Sequence, residues 1–306
     1  MNISNIDVTL RDGGYRNQFS FSEDYAKLHV QMMVKAGVEW IEIGYRNGSF
    51  KPIVGIGETG LSPDHYIQTL RAVTDHPGIC VMLHPKNVAE HELSHMRKLG
   101  VDMLRFCADQ QKFPLTLDYV RAAKALGYTV CVNLTRISQM RPRDLTHQAE
   151  KVADAGADVV YLADSNGSMT PERVKRLFTT IQDVSQCKVG FHAHDNLGLA
   201  MSNSIAALNA GASFIDSSLR GMGKGAGNLK LELWLAFLRR ERAIEKYNYA
   251  ALLDQVDILE NTDQRARPTQ PLDDLIMGLY DLSVDHRERL HANANRVSDM
   301  LANAVA

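Results

Sequence analysis

Short apolar runs rich in β-branched residues recur along the chain, and each is followed by a longer segment with apolar residues at helical spacing. The first run spans residues 6–10, and the helical pattern after it begins behind Ser22, a typical helix-capping residue, and ends at Gly37. Eight runs favour β-strands: "IDVTL", "VEWIEIG", "GICVML", "VDMLRFC", "YTVCVNL", "ADVVYLA", "KVGFHAH" and "SFIDSSL".

Eight strands that alternate with helices predict an α/β fold, a (β/α)8 TIM barrel. A doubly wound sheet is the alternative, but its glycine-rich phosphate-binding fingerprint is absent from the first strand-to-helix turn. After residue 242 the strand pattern stops, and two helical segments follow, separated by the breaker-rich "RARPTQP". The sequence therefore predicts a catalytic barrel over residues 1–245 and a small C-terminal helical region over residues 246–306.

Composition narrows the class of protein further. The chain has 306 residues, is 45% hydrophobic and 23% charged, and carries a net charge of -2, which gives no reason to expect nucleic acid or an anionic membrane as a partner. No apolar run approaches the roughly 18 residues that a membrane helix needs, and "MNISNIDV" lacks the features of a signal peptide. The four cysteines are scattered, which favours reduced thiols. We expect a cytoplasmic protein.

Candidate chemistry appears where the predicted strands end, which is where barrel enzymes place their active sites. Arg11 and Asp12 follow the first strand, and His192 and His194 close the seventh. Strand side chains alternate between faces, so both imidazoles point the same way. A solvated turn is the alternative for the Arg–Asp pair. Because barrel closure brings these strands close together, Asp12, His192 and His194 form a candidate three-ligand metal site with open positions.

Four motifs in order resemble one enzyme group: "TLRDG", "DSNGSMTPE", "HAHDNLGLA" and "GMGKGAGNLKLE". They are similar to motifs of the pyruvate-dependent metallo-aldolase and lyase barrels, a superfamily that includes 4-hydroxy-2-oxovalerate aldolase and HMG-CoA lyase. The resemblance runs from about residue 6 to about residue 286 and includes "GLYDLSVDH". It implies a divalent-metal-dependent enzyme that makes or cleaves a carbon–carbon bond between pyruvate and an aldehyde, acting on a 4-hydroxy-2-oxoacid.

The resemblance also implies roles at single positions. Asp12, His192 and His194 match the metal ligands, and a ligand set of oxygen and nitrogen without thiolate suits Mn²⁺ or Mg²⁺. Arg11 matches the residue that stabilises the enolate oxygen, and Glu42 matches the carboxylate that braces this arginine.

Three further positions concern the substrate. Ser165 matches a residue that binds the pyruvate carboxylate, and Asn228 is either a polar group of the site or a helix cap. Arg136 lies with Arg141 and Arg143 in the loop after the fifth strand, where these arginines are either solvated or hold an anionic acceptor. We expect His84 and Arg105 to line the barrel mouth.

The chain departs from the family pattern at Tyr15, which stands where the aldolases have a histidine that acts as the general base. An unperturbed tyrosine has a pKa near 10 and is a poor base at neutral pH. Three explanations stay open: Tyr15 is tuned by the metal and Arg11, a metal-bound water is the base, or the reaction differs. Tyr280 matches a family tyrosine that reaches into the site, and His286 follows it at the family's spacing.

Other functions remain open at this stage. An acyl-CoA Claisen enzyme of the same superfamily and a catalytically silent barrel used for binding are the main alternatives. A non-haem iron oxygenase and a biotin-dependent carboxyltransferase fit the pattern less well. We expect a homodimer built partly on the C-terminal helices. An aldehyde dehydrogenase partner is doubtful, since family members that have one extend well beyond the position of His286.

Overall fold

The computed structural model describes residues 3–75, 78–266, 272–294 and 297–305. Within them, eight parallel strands form a closed barrel in chain order, in which β1 pairs with both β2 and β8. The strands are β1 (Ser4–Asp7), β2 (Trp40–Tyr45), β3 (Gly78–Leu83), β4 (Met103–Cys107), β5 (Thr129–Leu134), β6 (Val159–Asp164), β7 (Lys188–Ala193) and β8 (Phe214–Ser217). This confirms the predicted (β/α)8 TIM barrel.

Eight helices alternate with the strands, and four more follow in the described part of the chain. They are α1 (Glu23–Ala36), α2 (Asp64–Ala72), α3 (His91–Lys98), α4 (Phe113–Ala125), α5 (Pro142–Asp154), α6 (Pro171–Val184), α7 (Ala200–Asn209), α8 (Leu231–Arg242), α9 (Tyr249–Thr262), α10 (Leu272–Leu279), α11 (Arg287–His291) and α12 (Val297–Val305). As predicted for α1, the Ser22 hydroxyl accepts a hydrogen bond from Tyr25 N at 3.2 Å, and Gly37 ends the helix at φ +82°.

The C-terminal helices form two groups. Helix α9 packs against α1 on the outside of the barrel, whereas α10, α11 and α12 share a small apolar cluster of their own. Most of the breaker segment "RARPTQP", residues 267–271, lies outside the described residues. The boundary at residue 245 remains a prediction, and it falls between the end of α8 and the start of α9. No described helix is long and apolar enough to cross a membrane.

The core has two layers, as in other barrels of this class. Side chains that point inward from the strands fill the barrel, and side chains that point outward pack under the helices. The inner cluster comprises Ile6, Val8, Cys80, Met103, Cys131, Val159, Tyr161 and Phe214. It closes the barrel below the catalytic face, so ligands reach the site from the mouth. All four cysteines are free thiols, as predicted.

The first strand lies earlier in the chain than the predicted 6–10, since β1 spans Ser4–Asp7. Backbone beyond it turns sharply, and Asp12 N donates to Val8 O at 2.8 Å before a short 3-10 turn at Gly13–Arg16. Arg11 and Asp12 therefore lie in a buried turn above the strand, with 4% and 3% of their surfaces exposed. A solvated surface turn is ruled out for this pair.

Candidate active site

The centre of the barrel mouth holds the predicted metal triad. One ligand atom each from Asp12, His192 and His194 lie within 4.8 Å of one another, and all three residues are buried. The two histidines lie two residues apart at the end of β7 and share a face, which brings their Nε2 atoms to 3.3 Å. The structure brings the three predicted ligands together, and their role in binding a metal stays a prediction.

Hydrogen bonds fix the tautomers of both histidines. Nδ1 of His192 is 2.9 Å from the Asp216 carboxylate, and Nδ1 of His194 is 3.2 Å from the Gly227 carbonyl. Both partners accept, so in the neutral imidazoles each Nδ1 carries the proton and each Nε2 keeps its lone pair. Facing lone pairs repel each other, and a cation bound by both nitrogens removes that repulsion. The residues present therefore fit a divalent metal ion.

The protonation states agree with this assignment. Burial lowers the pKa of His194 to about 4, so the imidazole is neutral near pH 7. Burial alone raises the pKa of the Asp12 carboxyl, but the charges of Arg11 and the histidines outweigh it and bring the pKa below its ordinary value. Near neutral pH, Asp12 is ionised and His194 is neutral, the forms in which both residues bind metals.

Arg11 connects the triad to Glu42. Its Nη1 lies 2.5 Å from Asp12 Oδ1, and its Nε lies 2.6 Å from Glu42 Oε2. Burial disfavours the guanidinium charge, but the two carboxylates raise the pKa of Arg11 well above its ordinary value. The predicted bracing contact between Glu42 and Arg11 is present, and it fixes a permanent positive charge beside the metal ligands.

Arg105 and Asp216 extend this network. Sequence-based prediction misplaced the first and did not identify the second. Arg105 was expected to line the mouth, but it is fully buried inside the barrel, 3.1 Å from Glu42 and 2.6 Å from Asp216. Asp216 on β8 in turn holds His192. Only the occurrence of charged residues within apolar strand runs could have signalled these two positions.

The buried network carries an excess of negative charge. Two guanidinium groups face three carboxylates, which leaves one net negative charge when the histidines are neutral; the five residues are Arg11, Arg105, Asp12, Glu42 and Asp216. Burying an uncompensated charge is costly. A divalent cation would convert the excess to one positive charge, which suits an anionic 2-oxo acid.

The glycine-rich segment after β8 closes over Asp12. The Asn228 amide donates to Asp12 Oδ2 at 2.9 Å and to the Met222 carbonyl at 2.9 Å, and Lys224 N donates to the same Asp12 oxygen at 3.3 Å. Helix α8 is capped by Lys230, so the helix-cap interpretation of Asn228 is wrong. A Cβ at Gly223 would collide with the Asn228 side chain, which explains the glycine here.

Tyr15 lies at the side of this site. Its hydroxyl bonds with Ser49 Oγ and lies 3.4 Å from the Tyr45 hydroxyl, while the Lys224 ammonium stands 5.4 Å from the ring centroid. Burial raises the pKa of Tyr15 above its ordinary value, so the phenol is neutral near pH 7. A neutral phenol donates hydrogen bonds and does not act as a base.

Comparison with known proteins assigns the family. The family profile HMGL-like matches residues 2–259.

The chain belongs to the HMGL-like family.

Relatives of this HMGL-like protein include the 4-hydroxy-2-oxovalerate aldolase of Thermus thermophilus, 32% identical over 93% of this chain and 83% of the relative. The oxaloacetate decarboxylase of Mycobacterium tuberculosis is 27% identical, over 98% of this chain and 89% of the relative. A similar solved structure is the N-terminal domain of a Bacteroides vulgatus protein assigned to the aldolases, with a TM-score of 0.82, 29% identity, and coverage of 95% and 97% of the two chains.

Two predicted substrate residues of the HMGL-like barrel lie together at the rim. Ser165 follows β6, and its hydroxyl accepts a hydrogen bond from Arg136 N at 3.0 Å. The Arg136 side chain reaches Asp285 at 3.3 Å and is 46% exposed. By contrast, Arg141 pairs with Asp144 at 2.6 Å, and Arg143 is exposed. The roles of Ser165 and Arg136 stay predictions.

Other predicted residues have different outcomes. His84 is buried and stacks on Tyr45 at a centroid distance of 5.7 Å, and burial lowers its pKa to about 4. Tyr280 follows α10 with 38% of its surface exposed, and among the described residues no hydrogen bond joins it to the metal triad. The Tyr280 role stays a prediction. Nδ1 of His286 lies within hydrogen-bond distance of the Ser283 hydroxyl and carbonyl oxygens.

Replacing Asp216 with asparagine tests whether its carboxylate, which holds His192, contributes to metal binding. We expect Mn²⁺ affinity to fall about ten- to a hundredfold, because the neutral amide no longer polarises His192 or fixes its tautomer. Calorimetric titration of Mn²⁺ measures the change, and Asp183→Asn on the exposed outer face of α6 is the matched control. Unchanged affinity in a folded Asp216→Asn variant would contradict the role of Asp216.

Proposed function

We propose that this protein is a divalent-metal-dependent aldolase that makes or cleaves the carbon–carbon bond between pyruvate and an aldehyde, with a 4-hydroxy-2-oxoacid as the joined compound. The buried triad of Asp12, His192 and His194 beside Arg11 carries the proposal. The aldolase names of several relatives support it. An enzyme that joins acyl-CoA to a 2-oxo acid remains the alternative within the family.

The metal would be held by Asp12, His192 and His194. The bound metal would supply Lewis-acid chemistry, which lowers the cost of enolate charge on a 2-oxo acid. Arg11 supplies the second stabilising charge. Its Nε and Nη1 are occupied by Glu42 and Asp12, and no hydrogen bond within the described part of the chain uses Nη2. That nitrogen is therefore available to donate to the enolate oxygen.

Cleavage also needs a base. The proton on the C4 hydroxyl of the substrate must leave as the C3–C4 bond breaks and its electron pair moves onto the pyruvate fragment. Tyr15 occupies the position of the family histidine, and its neutral phenol is unsuited to accept that proton. If the reaction is aldol cleavage, a water molecule at the site is then left to accept the C4 hydroxyl proton.

This difficulty favours a second candidate reaction, the decarboxylation of oxaloacetate. The bond between C3 and the departing carboxylate breaks, carbon dioxide leaves, and the electron pair forms the same pyruvate enolate, which then takes up a proton. No hydroxyl proton has to be removed. The relative named oxaloacetate decarboxylase supports this candidate.

The two candidates are distinguished by supplying Mn²⁺-loaded protein with 4-hydroxy-2-oxopentanoate or with oxaloacetate, and measuring pyruvate through lactate dehydrogenase. Production of pyruvate from the hydroxy acid supports the aldolase proposal. Production of pyruvate from oxaloacetate, with none from the hydroxy acid, supports the decarboxylase. Failure with both substrates, in protein that binds Mn²⁺, contradicts the decarboxylase and excludes this hydroxy acid as the aldolase substrate.

Substitution of Tyr15 tests the missing base directly. We expect Tyr15→His to raise aldol cleavage by up to about a hundredfold, because an imidazole near pKa 6.5 accepts the hydroxyl proton. Oxaloacetate decarboxylation should change less than about threefold, since it needs no such base. Tyr15→Phe is the control. Loss of cleavage in Tyr15→Phe, without gain in Tyr15→His, would show that Tyr15 itself is the base.

We further propose Mn²⁺ or Mg²⁺ as the metal, on the basis of the oxygen and nitrogen donors. The free cysteines support a cytoplasmic location. Leu233 on α8 and Leu253 on α9 are about half exposed, at 51% and 48%, which supports a homodimer through this side of the barrel. An aldehyde dehydrogenase partner is not part of the proposal.

A further inference from the structure

Two cationic side chains contact a single carboxylate at the rim of the barrel mouth, and a third cation lies nearby. Lys51 Nζ lies 2.6 Å from Asp285 Oδ1, and Arg136 Nη2 lies 3.3 Å from Asp285 Oδ2. Lys224 interacts electrostatically first with Asp12 and then with Asp285, Arg136 and Lys51, so it lies between the metal ligand and the rim. We call Lys51, Arg136, Lys224 and Asp285 the rim cluster. Its charges are three positive and one negative, an excess of two positive charges.

The rim cluster joins distant parts of the chain at the catalytic face. Lys51 belongs to the loop after β2, Arg136 to the loop after β5, and Lys224 to the glycine-rich segment after β8, whereas Asp285 comes from the C-terminal region. The segments that carry Lys51, Arg136 and Lys224 all follow the carboxyl ends of barrel strands, where substrates bind. The convergence therefore belongs to the mouth of the site.

Lys224 links the rim cluster to the reacting centre. Its backbone N–H donates to the metal ligand Asp12, and its ammonium stands over the Tyr15 ring. The resemblance implies that the position of Tyr15 faces the C4 hydroxyl, so under the proposed aldolase function this is the side of the aldehyde. Ser49, in the same loop as Lys51, bonds with the Tyr15 hydroxyl. The cations thus stand on the aldehyde side.

We propose that the aldehyde acceptor carries a carboxylate or phosphate group, and that this anion binds among Lys51, Arg136 and Lys224 in place of the Asp285 carboxylate. The inference rests on the proposed aldolase function. An apolar aldehyde leaves the two excess positive charges without a counter-ion. Asp285 occupies the anion position in the free protein and moves aside when the substrate enters.

The contacts of Asp285 suit such an exchange. Its side chain is 33% exposed and those of Lys51 and Arg136 are 67% and 46% exposed, and ion pairs as accessible as these are held weakly. The Lys224 ammonium has no ion pair at salt-bridge distance among the described residues. A substrate anion that reaches all three cations therefore gains a contact that Asp285 does not make.

Matched pairs of aldehydes test the proposal in the direction of synthesis with pyruvate. The carboxylate pair is 4-oxobutanoate and its neutral methyl ester, and the phosphate pair is D-glyceraldehyde 3-phosphate and D-glyceraldehyde. We expect kcat/KM about tenfold or more higher for the charged member of at least one pair. Which pair responds tells carboxylate from phosphate. Equal kcat/KM within both pairs would overturn the proposal.

Variants locate the effect in the rim cluster. We expect Lys51→Gln and Arg136→Gln to raise KM for the preferred charged aldehyde about three- to tenfold more than KM for its neutral partner. Asp285→Asn should lower the same KM, because it removes the competing carboxylate. Lys175→Gln on the exposed face of α6 is the control for loss of one positive charge. Equal changes for charged and neutral aldehydes would overturn the proposal.

Exchange of the pyruvate methyl protons, measured without aldehyde, separates this inference from the proposed function. If the pyruvate protons exchange but kcat/KM is equal for charged and neutral aldehydes, the anion site is refuted and the aldolase function is not. Absence of exchange in metal-loaded protein refutes the aldolase function, and the acceptor site with it.

Discussion

Replacing Asp12 with asparagine should lower pyruvate formation by about a thousandfold or more, because a metal ion supplies several kcal/mol of transition-state stabilisation and this change removes the anionic member of the proposed ligand triad. Removal of metal by a chelator should have the same effect on the unchanged protein. Addition of Mn²⁺ should restore activity to the chelated protein and not to Asp12→Asn.

Activity and Mn²⁺ affinity are measured together on this variant. Asp118→Asn, an exposed carboxylate on α4, is the matched control and should retain both. Thermal melting confirms that Asp12→Asn is folded, since Asn228 and Lys224 N lose their charged acceptor in this variant. Full activity after exhaustive chelation would show that the cluster is not a metal site.

Replacing Arg11 with alanine should lower kcat by about a hundred- to a thousandfold, the usual effect of removing a fixed donor at a developing oxyanion. Arg11→Lys should recover little of this loss, because a lysine cannot bond Glu42 and Asp12 while it donates to substrate. Glu42→Gln keeps the arginine but loosens it, so we expect a smaller decrease of about tenfold.

The pH dependence provides a second readout for Arg11. Besides the effect of burial, the positive charge of Arg11 lowers the pKa of both His194 and Asp12, so its removal raises both pKa values. The acid limb of the activity profile in Arg11→Ala should therefore move to higher pH. A decrease in kcat with an unmoved acid limb would mean that Arg11 contacts the substrate without tuning either His194 or Asp12.

Much of the fold could be predicted from local patterns. The strand-to-helix alternation gives the barrel, because buried parallel strands and amphipathic helices have different periodicities. The pattern failed at the end of β1, where Val8 and Leu10 are buried although the backbone turns away after Asp7. The apolar character of Val8 and Leu10 therefore indicates that they are buried, and does not show that they belong to a strand.

The site was predictable only where residues are close in sequence or belong to a motif. Strand alternation placed His192 and His194 on one face, barrel closure placed Asp12 near them, and resemblance gave the role of Glu42. The contacts of Arg105 with Glu42 and Asp216 join β4 to β2 and β8, and such pairings appear only when the barrel closes. Likewise, the Asp285 contact with Lys51 spans most of the chain and no local pattern encodes it.

The most direct test of the central claim is proton–deuterium exchange at the methyl group of pyruvate, followed by NMR in D₂O. The protein is stripped of metal and then supplied with Mn²⁺ or Mg²⁺, and Asp12→Asn is run beside it. Metal-dependent exchange that Asp12→Asn abolishes is the predicted result, because it reports formation of the pyruvate enolate at this cluster. Absence of exchange with either metal, in protein shown to bind it, would contradict a pyruvate-dependent aldolase and favour an acyl-CoA enzyme or a silent barrel.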